Sequence, residues 1–329
     1  MKNNKPVLIV LGEPNSVFIE ILSKFFNTKL KNNNFKYPII LIGSRDLIKA
    51  QNKFLKRKLD FENLDLGNLD IKNLKKKIYL INVDYKFKKP FEEISTKSRH
   101  YINNCFKKAL YFLNSNKSKI LINGPISKHH FLEKKYPGIT EYIFDKSKIK
   151  LTQNPVMLIF NKKLSVSPIT THISLKNVNK GLSIKKIVSN VNAINKFYEK
   201  YLNKKPNIAV LGLNPHCETK SNINEENQVI EPAIRKLKQM KIKIKGPYST
   251  DTFFLKNNLE KFNSVIGMYH DQVLTPFKTL YEFNASNITL GLPFLRITVD
   301  HGPNYKMLGK NQSNTKSLEN IFQLIDSIR

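Results

Sequence analysis

Val7-Leu8-Ile9-Val10-Leu11-Gly12-Glu13-Pro14 is a short apolar run that stops at a turn, and the stretch Phe18–Phe26 behind it carries Phe18, Ile21, Leu22, Phe25 and Phe26 on one helical face. A run with no polar alternation suits a strand buried on both sides. Strand, turn and amphipathic helix make one βα step, and the step recurs. Tyr37–Ile42, Ile78–Val83, Ile120–Ile122, Ile208–Leu213, Ser264–Tyr269 and Ile288–Leu290 read as strands, with Val156–Phe160 and Leu164–Ile169 as a strand pair. Arg45–Lys56, Thr96–Asn114, Ser183–Tyr201, Gln228–Gln239 and Leu318–Ile328 read as helices, with Ser183 as an N-cap. The alternation predicts an α/β protein on a largely parallel sheet. Its 329 residues exceed what one core usually holds. No Pro/Gly/Ser-rich linker separates two halves, so two domains joined by shared secondary structure, with a cleft between them, are expected. The polar, charge-dense stretch Lys53–Lys77 reads as a surface excursion of the first.

Composition excludes several classes. Cys105 and Cys217, the two cysteines, cannot make a disulfide scaffold or a cysteine-based zinc site. No apolar run reaches the roughly 18–20 residues that span a bilayer, and Val7–Leu11 is too short for a signal segment. A soluble protein of a reducing, cytoplasmic compartment is expected. Lys plus Arg total 56 against 25 Asp plus Glu, a net charge of +31, which raises nucleic acid as a partner. Two features point instead to compositional bias. Only six of the cations are Arg, the residue that phosphate-reading surfaces favour, and the Lys travel with Asn and Ile as in Lys31-Asn32-Asn33-Asn34. No nucleic-acid-binding motif is present.

Ligands of parallel α/β proteins sit beyond the carboxyl ends of strands. Polar residues stand there repeatedly: Asn123-Gly124-Pro125-Ile126-Ser127-Lys128, Thr170-Thr171-His172, Asn214-Pro215-His216 and His270-Asp271-Gln272. A single strand-end histidine is more often structural. Three at equivalent positions, His172, His216 and His270, favour a shared divalent metal, since neutral imidazole is the commonest metal ligand. His100 falls in a helix, and His129-His130 reads as part of a solvated loop. Lys278, Asn287 and Arg296 follow; Lys and Arg beside a metal suit an anionic, phosphorylated substrate, while the bland reading of Arg296 is an ion pair at a domain edge. Neither a Gly-x-Gly-x-x-Gly turn nor a Walker loop occurs.

With these residues in view, the chain resembles the 4-hydroxythreonine-4-phosphate dehydrogenase family of the isocitrate/isopropylmalate dehydrogenase-like fold group. The resemblance is carried by Gly12-Glu13-Pro14, Asn123 to Lys128, Thr140-Glu141, Thr171-His172-Ile173 and Gly212-Leu213-Asn214-Pro215-His216. It continues through Asp251-Thr252, Met268-Tyr269-His270-Asp271-Gln272, Asn287 to Arg296 and Val299-Asp300-His301-Gly302, in family order. It implies two α/β/α domains with an interdomain cleft: residues 1–125 plus 290–329 as a discontinuous cofactor-side domain, and 126–289 for metal, substrate and dimerisation. It implies His172, His216 and His270 as ligands of one divalent metal (Zn, Mg, Mn or Co), shared across a homodimer interface, and Thr140, Lys278, Asn287 and Arg296 as substrate contacts. The implied reaction oxidises the C3 hydroxyl of the phosphorylated amino acid with NAD or NADP, then decarboxylates the β-keto acid. Asp271 or Asp251 is the candidate proton acceptor.

The chain also departs from the family. The usual Gly-His-Thr-Glu is here Gly138-Ile139-Thr140-Glu141, the Gly after His-Asp-Gln is Val273, the Gly-rich stretch after Asn-Pro-His is Cys217-Glu218-Thr219-Lys220-Ser221, and Asn15-Ser16-Val17-Phe18 lacks the family's small residues. Cys217 is read as pointing away from any metal. Two alternatives therefore stay open: a dehydrogenase of threonate or erythronate 4-phosphate, and an impaired paralogue that binds phosphorylated ligands or nucleic acid. In this fold group a His-Gly turn opens the segment holding the adenosine end of the cofactor. The fourth residue after that Gly is often Asp in NAD-preferring relatives and Lys in NADP-using isocitrate dehydrogenases. Here His301 opens the turn and that residue is Lys306, which tilts the expectation toward NADP.

Overall fold

A computed structural model describes residues 5–30, 35–65, 71–133, 135–136, 138–147, 154–221, 223–299 and 301–328. Asp300 of the Asp-His-Gly segment, and residues 66–70 of the polar stretch Lys53–Lys77, lie outside the described residues. The strands in chain order are β1 (Val7–Val10), β2 (Ile39–Gly43), β3 (Glu62–Asn63), β4 (Ile78–Asn82), β5 (Ile120–Asn123), β6 (Val156–Phe160), β7 (Ser165–Pro168), β8 (Ile208–Leu211), β9 (Ile244–Tyr248), β10 (Ser264–Gly267), β11 (Ser286–Leu290) and β12 (Leu295–Val299). The chain divides into two compact units, 1–150 with 292–327 and 151–291.

The first unit holds six strands in the order β3-β4-β2-β1-β5-β12. All its pairings are parallel, as the repeated βα steps require. Every residue of β1 and β2 is buried, which explains their unalternated sequences. Helix Arg99–Asn114 turns Ile102, Phe106, Ala109 and Leu113 onto this sheet, and these residues join Leu8, Val10, Ile40, Ile42 and Leu121 in one core. Each such Ile, Leu or Phe contributes about 1.5–3 kcal/mol when fully buried. The sequence reading put residues 126–150 in the second domain. Here Phe131, Leu132, Ile139, Tyr142 and Ile143 of that segment pack into the core of the first unit. Their apolar side chains, rather than the strand-end turn at Asn123-Gly124-Pro125, set the boundary.

The second unit has the order β11-β6-β7-β10-β8-β9. β7, β10, β8 and β9 run parallel, while β6 is antiparallel to both β7 and β11. The strand pair expected at Val156–Ile169 is thus an antiparallel hairpin at Val156–Phe160 and Ser165–Pro168. Ser183 caps helix Ile184–Leu202 by accepting a hydrogen bond from Lys186 N. The expected helix from Gln228 starts earlier, as a π turn over Glu226–Ile230 that runs into Glu231–Gln239.

Several elements carried no legible signal. β12 holds Arg296 at a buried position, β9 contains Gly246-Pro247, and helix His270–Tyr281 contains Pro276. His129-His130 is not in a loop but in the short helix Lys128–Leu132, where His130 Nδ1 lies 2.7 Å from Ser127 Oγ. Among the described residues, no helix is long and apolar enough to cross a membrane.

Candidate active site

In the second unit the parallel register sets the ends of β7, β10 and β8 level: Gly267 lies opposite Pro168, and Ile266 opposite Val210. The residues that follow therefore emerge at one sheet edge. Thr170 fixes the β7 end by donating Oγ1–H to the Met268 carbonyl at 2.7 Å. The His172 and His270 rings then lie 6.0 Å apart, centroid to centroid. His270 opens the helix His270–Tyr281, and its Nδ1 is 2.6 Å from Asp271 Oδ1. His216 follows β8 on the single turn Pro215–Cys217, with Nδ1 at 3.8 Å from Asp251 Oδ2, an ion-pair rather than a hydrogen-bond distance. Ser249 Oγ–H donates to Asp251 at 2.5 Å and, with lesser help from the Thr252 backbone amide and the nearby His216, holds that carboxyl below its usual value against the opposing effect of desolvation.

The donor set, three imidazoles with two adjoining carboxylates, suits a divalent cation chemically. The chain brings His172 and His270 together and leaves the set incomplete. Among the described residues, no group of three His, Cys, Asp or Glu is arranged to hold a metal. Cys217 is half-buried, and burial followed by the nearby Glu226 carboxylate raises its thiol pKa, which opposes the thiolate that a metal would need.

Of the remaining second-unit candidates, Lys278 lies in the last turn of helix His270–Tyr281 with Nζ 5.1 Å from the Phe283 ring centroid. Asn287 is in β11, opposite Ile159. Neither role could be fixed from sequence spacing alone. Gln272, and Glu226, which spacing did not single out, bind this edge together. Gln272 and Glu226 are both buried and hydrogen-bonded to the segments bearing the histidines. Burial pushes the Glu226 carboxyl up, but the hydrogen bonds from Asn214 and Leu213 outweigh it and hold it below its ordinary value.

In the first unit the candidates converge around Arg296. It is 5 % exposed, with Nε donating to Asn123 Oδ1 and a terminal nitrogen to Thr140 Oγ1, both at 2.9 Å. Burial lowers its pKa to about 10 even though Glu141 opposes the shift. These polar contacts hold the guanidinium at the end of β5. Ile139, which stands where the family has His, is buried in the first core, and Val273 is buried in the second. Both departures thus put apolar side chains into packing rather than leaving gaps. At the end of β1, Glu13 is 2 % exposed and its pKa is raised to about 7 by burial, against hydrogen bonds from Asn15 N and Ser98 Oγ. Gly12 makes the turn at φ +75°, where a Cβ would come 2.6 Å from the Pro125 carbonyl oxygen. His301 Nδ1 is 2.9 Å from the Gly302 carbonyl oxygen, and Lys306 is exposed on the turn Tyr305–Met307.

A discontinuous first unit with parallel strands, a second unit with mixed strands, and histidines, amides and carboxylates at strand ends define an α/β protein of two units. Within that class the chain belongs to the pyridoxal phosphate biosynthetic protein PdxA family, whose family model matches residues 35–325. It is 39 % identical over 323 residues to a 4-hydroxythreonine-4-phosphate dehydrogenase of Sulfurihydrogenibium sp. (strain YO3AOP1), covering 96 % of each chain. A solved structure described as a putative 4-hydroxythreonine-4-phosphate dehydrogenase from Salmonella typhimurium superposes with TM-score 0.80 at 24 % identity, covering 98 % of this chain and 99 % of that one. The fold alone extends to a β-decarboxylating dehydrogenase of Thermococcus kodakarensis, at TM-score 0.51 and 10 % identity over 98 % of this chain and 83 % of that one.

Proposed function

We propose that the chain oxidises the C3 hydroxyl of 4-phosphohydroxy-L-threonine with NAD or NADP, and that the resulting β-keto acid loses CO2 to give 3-amino-2-oxopropyl phosphate. The observation that carries this reading is the strand-end pair His172 and His270, 6.0 Å apart, with His216 leaving the parallel strand beside β10. A divalent cation (Zn, Mg, Mn or Co) held by these three histidines would lower the pKa of the substrate hydroxyl and polarise the ketone formed from it.

The protein's own groups account for the rest. Asp271 lies against His270 Nδ1, which leaves Nε2 of that ring as the donor atom, and Asp251 stands 3.8 Å from His216 Nδ1. Asp271 or Asp251 is the candidate acceptor for the hydroxyl proton. Arg296, oriented by Asn123 and Thr140, together with Lys278 and Asn287, supplies charge and amide donors for the substrate's phosphate and carboxylate. His301 and Lys306 belong to the cofactor side, and the exposed Lys306 favours NADP through its 2′-phosphate. The unit of residues 1–150 with 292–327 forms the cofactor side, and 151–291 the metal-bearing, dimer-forming side.

A homodimer that completes the site is part of the same reading. It is supported by the incomplete histidine set and by exposed apolar residues on the same segments: Leu175 and Ile223 at 72 %, Leu255 at 61 % and Ile173 at 45 %. Two free cysteines fit a reducing cytoplasmic setting. Ile139 stands where the family has a His and keeps the exact substrate open, with threonate or erythronate 4-phosphate as the second reading. The deciding experiment offers the purified protein each of the three phosphorylated substrates with NAD and with NADP, with and without added Zn, Mg, Mn or Co. Cofactor reduction with 4-phosphohydroxy-L-threonine supports the first reading. Reduction only with a sugar-acid phosphate supports the second, and none under any condition overturns both.

A further inference from the structure

His216 and His270 stand on segments that the sheet holds only at one end. The chain leaving β8 is gripped from two sides by buried side chains. On one side Gln272 Nε2 donates to the Gly212 carbonyl at 2.6 Å and to Thr250 Oγ1 at 2.9 Å, while its Oε1 accepts from Met268 N at 2.6 Å. On the other, Glu226 Oε1 accepts from Leu213 N at 2.6 Å and Asn214 N at 2.8 Å, and Oε2 accepts from Asn214 Nδ2 at 2.7 Å. Gln272 is 5 % exposed and Glu226 1 %. The approach is close: a Cβ on Gly212 would meet Cys217 Sγ at 2.6 Å and Glu226 Oε1 at 3.0 Å, so it would displace the clamp's own side chains.

Two residues past this grip the backbone turns left-handed twice in succession, with φ of 55° at His216 and 62° at Cys217. Residues other than glycine hold that conformation only where their surroundings fix it. The turn closes on its own backbone, Cys217 N donating to the Asn214 carbonyl and Glu218 N to the Pro215 carbonyl, both at 3.1 Å, while the groups just named hold its base and tie together the segments that bear His216, Asp251 and His270. We propose that Gln272 and Glu226 form a buried amide–carboxylate clamp, positioning the His216 turn against the start of the His270 helix. The proposal rests on the reading that these histidines bind one cation.

The test uses full-length protein and three measurements: Zn2+ binding by calorimetry, steady-state cofactor reduction, and amide hydrogen exchange across residues 212–217. Glu226→Gln places an NH2 against the Asn214 amide donor, and Gln272→Glu keeps the acceptor for Met268 N but loses both donors. In each variant Zn2+ affinity is expected to fall about 10–100-fold. The Leu213 and Asn214 amides are expected to exchange about tenfold faster or more, and kcat to fall while KM changes little. Glu226→Asp, which keeps the charge, should recover part of the Zn2+ affinity. Wild-type Zn2+ affinity and exchange in both variants would overturn the clamp. Should the variants fail to fold, Leu213 and Asn214 amides in the wild type that exchange as fast as exposed loop amides would overturn it as well. A wild-type protein that binds no divalent cation refutes the underlying reading of the site, whereas one that binds Zn2+ no better than both variants refutes the clamp alone.

Discussion

Glu13 makes the stability of this protein depend on pH in a direction opposite to that of most carboxylates. Its side chain is 2 % exposed, and burial lifts its pKa from 4.5 to about 7 despite hydrogen bonds from Asn15 N and Ser98 Oγ. In the unfolded chain the group ionises near its ordinary value. Between pH 4.5 and about 7 the folded state therefore binds more protons than the unfolded one, and stability falls as pH rises. The contribution is present in full below pH 4.5 and lost by the time the pH has passed about 7. At about 1.4 kcal/mol per tenfold change in binding, the full span amounts to about 3 kcal/mol, of which about 2.5 kcal/mol is lost between pH 5 and pH 8. Glu13→Gln has the same shape and no charge to bury. Urea unfolding of both proteins at pH 5 and pH 8 separates this effect from every other titrating group, because only the difference between the two profiles is read. The substitution also weakens the contact with Ser98, but that loss is common to both pH values and cancels. The variant should gain about 2.5 kcal/mol on the wild type between pH 5 and pH 8. Profiles that run parallel would refute the assignment of a buried, proton-binding Glu13.

Three further outcomes are expected. Gly12→Ala combines a left-handed φ of +75° with a Cβ 2.6 Å from a carbonyl oxygen. It should cost about 2–4 kcal/mol, seen as a fall of several degrees in Tm. Arg296→Lys keeps the charge but loses the fork held by Asn123 and Thr140. A drop in kcat/KM of roughly 10–100-fold, borne mainly by KM, would be measured in the coupled assay, and an unchanged KM would remove Arg296 from substrate binding. Lys306→Ala should lower kcat/KM with NADP about tenfold or more and leave NAD nearly unaffected; equal losses with both cofactors would exclude a 2′-phosphate contact.

The parts of the fold that could be read in the sequence are those where burial dictates composition. Val7 to Val10 and Ile39 to Ile42 are buried on both faces, so their apolar runs could only be central strands. Where one position does other work, the pattern disappears. Leu295 to Val299 carries Arg296 in its interior, and its pairing with β5 is visible only in three dimensions. Helix His270–Tyr281 is masked by Pro276, and β9 by Gly246-Pro247. At the site, histidines after strands could be read because strand register places them at one edge. The contacts of Asp271 and Asp251 with those histidines, and of Glu226 with Leu213 and Asn214, depend on side-chain direction and loop path, which spacing does not encode.

The late position of β12 in the chain has a consequence for synthesis. β5 pairs with β1 on one side and with β12 on the other, and Asn123 is separated from its partner Arg296 by 173 residues. At about 5–20 residues per second, a ribosome takes roughly 10–35 s to cover that distance. During this interval the β5 edge of the nascent first unit is an unfilled template for pairing, the kind of edge through which chains aggregate. The unit residues 151–291 is contiguous and can complete its own sheet meanwhile. Of the two units, the one that begins first along the chain is therefore the one finished last.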